Sequence, residues 1–94
     1  MKVKNGILKG ELKVKNGKLI KCTLEIKDGR IKSIKFTGDF FMHPEEKIEE
    51  LEERLRGIEF DKEKLAKIIF KFFEEVEIIG ASREDFVEVI IKAR

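Results

Sequence analysis

The hydrophobic pattern changes period near the middle of the chain. Ile20, Cys22, Leu24 and Ile26 alternate with Lys21, Thr23, Glu25 and Lys27, the two-residue period of a strand with its even positions toward a core. Further on, apolar residues recur at intervals of three and four: Ile48, Leu51, Leu55 and Ile58, then Leu65, Ile68, Ile69, Phe72 and Val76, then Phe86, Val89 and Ile90. That is the spacing of helices with one buried face. A strand part over 1–37 and a helical part over 44–93 follow, joined by Thr37-Gly38-Asp39-Phe40-Phe41-Met42-His43-Pro44-Glu45-Glu46.

Three Asn/Asp-Gly pairs, in Lys4-Asn5-Gly6, Lys15-Asn16-Gly17 and Lys27-Asp28-Gly29, punctuate the strand part as hairpin turns. Val-Lys-Asn-Gly recurs verbatim at 3–6 and 14–17, and two copies are too few to stack as a solenoid. Parity selects the turn. A three-residue loop at Lys27-Asp28-Gly29, with Gly29 left-handed and a glycine bulge, brings Ile34 and Phe36 to the face of Ile26, whereas a two-residue loop pairs Ile26 with Ile31 and turns Ile34 and Phe36 outward. The same reasoning at Lys15-Asn16-Gly17 puts Leu12 and Val14 on the core side. Strands near 8–15, 19–27 and 30–37 then show Lys13, Lys15, Lys21, Thr23, Lys27, Ser33 and Lys35 on the outer face.

In the helical part, Pro44 suits a first helical position, with Glu45 and Glu46 in the first turn. Glu50/Arg54 and Glu52/Arg56 have the spacing of exposed i, i+4 pairs, and Gly57 ends this helix. Asp61 reads as the next N-cap, with Phe60 and Leu65 as a staple and Phe70 and Phe73 at the margins of the stripe. Ile78-Ile79-Gly80-Ala81 breaks the pattern. Ser82 and Asp85 form a capping-box signature for a last helix that carries Lys92 and Arg94 near its end. The predicted architecture is a single α+β domain over 1–94, β-β-β-α-α-α, a two-layer antiparallel meander with helices packed on one face.

Composition adds a charge asymmetry. Of 94 residues 43% are charged, a Lys/Glu bias associated with proteins that work hot. The net charge of +2 is divided unevenly: residues 1–37 carry 11 Lys/Arg against 3 Asp/Glu, and residues 38–94 carry 10 against 16. A cationic sheet of this kind suggests a phosphate, a nucleic acid or an acidic protein surface as partner. Cys22 and His43 are single, which leaves no disulfide, no CxxC pair, no zinc site and no Cys/His catalytic pair. Without an apolar run of signal or membrane-spanning length, a cytoplasmic setting is expected.

Candidate chemistry gathers at the joint. Asp39 is open to three roles, as a general base, a cation ligand or an acceptor for backbone N–H groups at the start of the helix, and turn chemistry favours the last. His43 stands where a cap would stand but caps poorly, and a structural role suits it better than a functional one. Phe40 and Phe41 point in opposite directions if the backbone is extended there, so one enters the core and the other is a candidate interface anchor; burial of both under the first helix is the alternative. Lys13, Lys21 and Lys35 are either a solvated face or an electrostatic docking surface. A nucleic-acid module using that face lacks interleaved aromatics and arginine forks, and a homodimer through the Phe-rich surface is a further option. No phosphate loop, paired buried carboxylates or nucleophile with its base is present, so the residues describe a non-catalytic partner domain.

The run Ile34-Lys35-Phe36-Thr37-Gly38-Asp39-Phe40-Phe41-Met42-His43-Pro44-Glu45-Glu46, with Ile48, Leu51, Glu52, Leu55 and Gly57 after it, resembles the C-terminal accessory domain of lipoate-protein ligases. It is most similar to the form that is a separate small subunit in archaeal two-chain ligases, and the likeness is good over residues 10–58. The resemblance implies a fold similar to the SufE/NifU type. It also implies a catalytic partner subunit that makes lipoyl-adenylate from lipoate and ATP and passes the lipoyl group to a lysine of an acceptor protein domain. ATP, Mg and lipoate then belong to the heterodimer and not to this chain alone, which has no catalytic domain before Met1 and acts as an accessory for adenylation. Gly38, Asp39, Phe40, Phe41, Met42 and His43 are the expected partner or active-site-lid interface.

Overall fold

The computed structural model describes residues 5–14 and 18–94, so the Lys15-Asn16-Gly17 turn and the first copy of the repeat up to Lys4 lie outside the described residues. Strands β1 (Asn5–Lys13), β2 (Leu19–Lys27) and β3 (Arg30–Gly38) form an antiparallel meander in that order. Two short strands absent from the sequence reading, β4 (Phe41–His43) and β5 (Glu77–Ile79), pair as an antiparallel ribbon. Helices α1 (Lys47–Leu55), α2 (Lys62–Phe72) and α3 (Arg83–Ile91) complete the α+β fold.

The alternating strand pattern sets one face of the meander against the helices. Leu8, Ile20, Cys22, Leu24, Ile26, Ile34 and Phe36 are buried there, with Leu12 and Val14 packed at the margin. Val14 N–H donates to the Lys18 carbonyl at 2.9 Å, and Leu12 stands opposite Ile20. The second hairpin departs from expectation. Its loop is the two-residue Asp28-Gly29, both at positive φ (53° and 77°), the signature of a type I′ turn that follows strand twist. Ile26 therefore pairs with Ile31, and the register then slips by one so that Glu25 pairs with Ser33. Lys32 is the extra residue of this bulge, and the slip restores parity. Ile31, Ile34 and Phe36 are all buried as a result, an outcome that neither simple loop length allows.

Helix α3 lies directly on β1 and β2. Gly10 permits this: a Cβ there would stand 2.2 Å from the Val89 carbonyl oxygen. The Cys22 thiol donates to the same carbonyl at 3.5 Å, and burial pushes its pKa up to about 11. Phe86, on the inner face of α3, is the hub of an aromatic cluster, with ring centroids 5.1 Å from Phe36, 5.0 Å from Phe40 and 5.2 Å from Phe73. Phe86, Val89 and Ile90 point inward as the spacing predicts, and the Ser82/Asp85 capping box forms in full. Asp61 caps α2 by accepting from Lys64 N–H at 3.2 Å.

Helix α1 begins later than the sequence suggests. Pro44 sits in a bend after a cis peptide bond, and the helix starts at Lys47 with Glu46 as an N-cap that makes no side-chain bond. The cause is the ribbon, which keeps the backbone extended through His43, paired with Glu77; a residue before proline favours that conformation. Glu50 meets Arg54 at 3.1 Å as expected. Its pKa is lowered by the hydrogen bond from Lys47 and by the nearby charges of Lys47 and Arg54. Glu52 does not meet Arg56: its Oε2 accepts from Phe36 N–H at 2.8 Å, and Arg56 turns to Glu53 at 3.1 Å. Glu52 thereby closes part of the open edge of β3, whose other end is sealed by the α1–α2 connection through Gly57 N–H to the Ile31 carbonyl at 2.7 Å.

Candidate functional site

Local sequence dictates how the joint is built. Gly38, at φ 140°, lies so close to β2 that a Cβ would stand 2.3 Å from the Leu19 carbonyl oxygen, so only glycine fits. Asp39 then locks the turn from both sides: its N–H donates to the Leu19 carbonyl at 2.8 Å and its Oδ2 accepts from Leu19 N–H at 3.3 Å. The acceptor role favoured for Asp39 is correct in kind but wrong in partner, since the bonded N–H starts a strand and not helix α1. The reason is distance along the chain, because β4 intervenes between Asp39 and α1.

Past Asp39 the alternation becomes explicit. Phe40 is half-buried and meets Phe86 edge to face, Phe41 is 64% exposed, Met42 is 4% exposed, and His43 faces solvent. Of the six residues expected at a partner surface, Gly38, Asp39, Phe41 and His43 are presented outward. Phe40 and Met42 turn inward, and Met42 in particular leaves no surface for a partner. The alternation continues across the ribbon. Ile79 stands opposite Phe41 and is 53% exposed, Ile78 stands opposite Met42 and is half-buried, and Glu77 stands opposite His43. Phe41 and Ile79 thus make one apolar patch, since directly opposed residues bring their Cβ atoms to about 5 Å.

Ile79 is the residue sequence reasoning missed. Its signal was present in the break Ile78-Ile79-Gly80-Ala81, but the pairing with β4 spans 38 residues of chain and no local pattern announces it. Gly80 fastens this side: a Cβ there would stand 2.8 Å from the Asp39 carbonyl oxygen and 3.4 Å from Lys18 Nζ. The Lys18 ammonium therefore lies near Gly80, at the Asp39 end of the ribbon.

Lys13, Lys21 and Lys35 are exposed on the outer face of the meander. Lys13 stands opposite Leu19, at the joint end, while Lys35 stands opposite Thr23, further along the sheet. Lys21 meets Glu11 at 3.9 Å and Lys32 meets Glu25 at 3.8 Å, so Glu11 and Glu25 divide the positive field that the charge count suggested. The lysines of that face are thus interrupted by carboxylates among the described residues. Among the described residues no helix is long and apolar enough to cross a membrane, and no three His, Cys, Asp or Glu gather as metal ligands.

Comparison with known proteins agrees with this geometry. Residues 8–90 match the family described as bacterial lipoate protein ligase C-terminus. Lipoate-protein ligase A subunit 2 of Thermoplasma acidophilum is 43% identical over 79 residues, spanning 83% of this chain and 81% of that protein. A chain in a solved structure of an archaeal lipoylation system, a bi-partite lipoate protein ligase and its E2 lipoyl domain from the same organism, superposes with a TM-score of 0.82 at 38% identity. That match covers 92% of this chain and 96% of that chain. These relatives are ligase subunits, and none supports a nucleic-acid module. By both the matched span and the identity, the chain belongs to the lipoate-protein ligase C-terminal family.

Proposed function

We propose that this chain is the accessory subunit of a two-chain lipoate-protein ligase and acts with a catalytic ligase subunit in protein lipoylation, specifically in ATP-dependent adenylation of lipoate. The observation that carries the reading is the structural match that spans almost the whole of a chain from a bi-partite ligase. The catalytic subunit is the partner, and lipoyl-acceptor domain proteins meet this chain only through the complex. The setting is the cytoplasm.

ATP, Mg and lipoate belong, in this reading, to the complex with the catalytic subunit and not to this chain alone. What the chain supplies is a folded lid over its partner. A lid of this kind orders the loops of its partner around bound substrates and excludes water, and its later displacement admits the acceptor.

The test is lipoyl-adenylate formation by the catalytic subunit with and without this chain. Formation is expected to depend on the chain, whereas transfer from preformed lipoyl-adenylate to an acceptor domain is expected to proceed without it. Equal adenylation rates in both cases contradict the proposal.

A further inference from the structure

We infer that the catalytic subunit docks on the outer face of the β4–β5 ribbon, with Phe41 and Ile79 as its centre, and that the docked surface is an apolar socket edged by carboxylates. The inference rests on the accessory-subunit reading and adds where the contact is made and with what chemistry.

Four large apolar side chains are exposed among the described residues: Ile7, Phe41, Ile79 and Ile91. Ile7 stands opposite Glu25 on the outer sheet face, and Ile91 is at the end of α3. Single exposed apolar residues of that sort are ordinary on any surface. Phe41 and Ile79 differ because they are cross-strand partners and so present one contiguous patch containing an aromatic ring, the residue type that anchors interface centres.

The patch is also held in place. Behind it Phe40 rests on Phe86, Met42 is buried in the core, and Gly80 packs against the Asp39 carbonyl. A surface already fixed in its bound form loses little freedom on docking. Charge fixes the nature of the opposing surface. Lys18 Nζ lies beside Gly80, next to Ile79 in sequence, Lys13 is on the adjacent strand end, and the Asp39 carboxylate is engaged by Leu19 N–H. Lys18 and Lys13 outnumber Asp39 at that end, whereas the other end of the ribbon exposes Glu77, so carboxylates are favoured opposite the Lys18 end and association is salt-dependent.

Calorimetric titration of the catalytic subunit of the two-chain ligase with full-length variants tests this. Phe41→Glu combined with Ile79→Glu is expected to weaken binding by at least roughly 30-fold. Ile7→Glu, equally exposed but on the other face, is expected to stay within about threefold. Lys18→Glu is expected to weaken binding severalfold and to flatten its salt dependence. Thermal melts check that each variant folds; should the double variant not fold, Phe41→Ala and Ile79→Ala are read instead, each expected to weaken binding by at least roughly tenfold. Wild-type affinity in the ribbon variants, or an equal loss in Ile7→Glu, overturns the surface assignment while leaving the accessory role standing if adenylation still depends on the chain. Failure of the wild-type chain to bind the catalytic subunit removes the accessory reading and the docking site together. Self-association of the wild-type chain that the double variant abolishes, without any heterodimer, assigns the face to a second copy and also overturns the inference.

Discussion

The two sheets of this molecule obey the same alternation and put it to different use. In the meander the inner positions fill the core, and the outer ones carry Lys9, Lys13, Lys21, Thr23, Glu25, Ser33 and Lys35, with Ile7 as an isolated exposed apolar residue among them, a face that is mostly polar. In the ribbon the inner positions Met42 and Ile78 also pack inward, but the outer positions Phe41 and Ile79 are apolar and open. Strand geometry demands only that successive side chains face opposite ways. It does not demand that the second face be greasy, and the exposed apolar residues at 41 and 79 are what the proposed docking surface rests on. The difference separates Phe40, which packs on Phe86 and holds the fold, from its neighbour Phe41, which is exposed and is proposed to meet a partner.

Substitutions on either side of that divide have effects of very different size. Phe86→Ala, at the hub of the aromatic cluster, is expected to cost about 3 to 5 kcal/mol of stability by the usual cost of emptying a core aromatic site, measured by urea denaturation. Gly10→Val is expected to cost on the order of 1 to 3 kcal/mol or more, because the new side chain overlaps the Val89 carbonyl and pushes α3 off β1; the same titration reads it. Asp39→Ala removes the acceptor for Leu19 N–H and is expected to cost about 1 kcal/mol. Phe41→Glu falls at the small end, within about 0.5 kcal/mol, because its ring is largely in water. A loss near that of Phe86→Ala would show that Phe41 belongs to the core and would break the contrast.

A pH dependence adds a further check on the core side. Burial raises the Cys22 pKa from 9.0 to about 11, so the folded state holds its proton more tightly than the unfolded state does. The corresponding stability is complete below pH 9 and is lost as pH rises toward 11, at roughly 1.4 kcal/mol per pH unit. Denaturation curves for the chain and for Cys22→Ala at pH 8 to 11 are expected to show that additional slope only where the thiol is present.

Much of this was legible in the sequence because it is local. The capping box at Ser82/Asp85, the Asp61 cap, the strand parity of β2 and the inward set Phe86, Val89 and Ile90 each depend on residues within a turn or two. The resemblance around Gly38-Asp39-Phe40-Phe41 led to the right family. What was not legible depends on distant pairing. The β4–β5 ribbon joins segments that are far apart in the chain, and without it Pro44 looked like a helix start and Ile78-Ile79-Gly80-Ala81 like a break in the helical pattern. Glu52 was assigned to Arg56 because helical spacing offered no hint of the β3 edge. The Asp28-Gly29 hairpin misled for a different reason: parity arguments assume one register per strand pair, and the bulge at Lys32 supplied two.

The most direct test of the account compares the two outer faces in one experiment. With isoleucine δ1 methyl groups labelled for NMR, addition of the unlabelled catalytic ligase subunit is expected to shift or broaden the Ile79 signal while Ile7 keeps its position. Perturbation of Ile7 with Ile79 unchanged would place the partner on the lysine face and contradict the account.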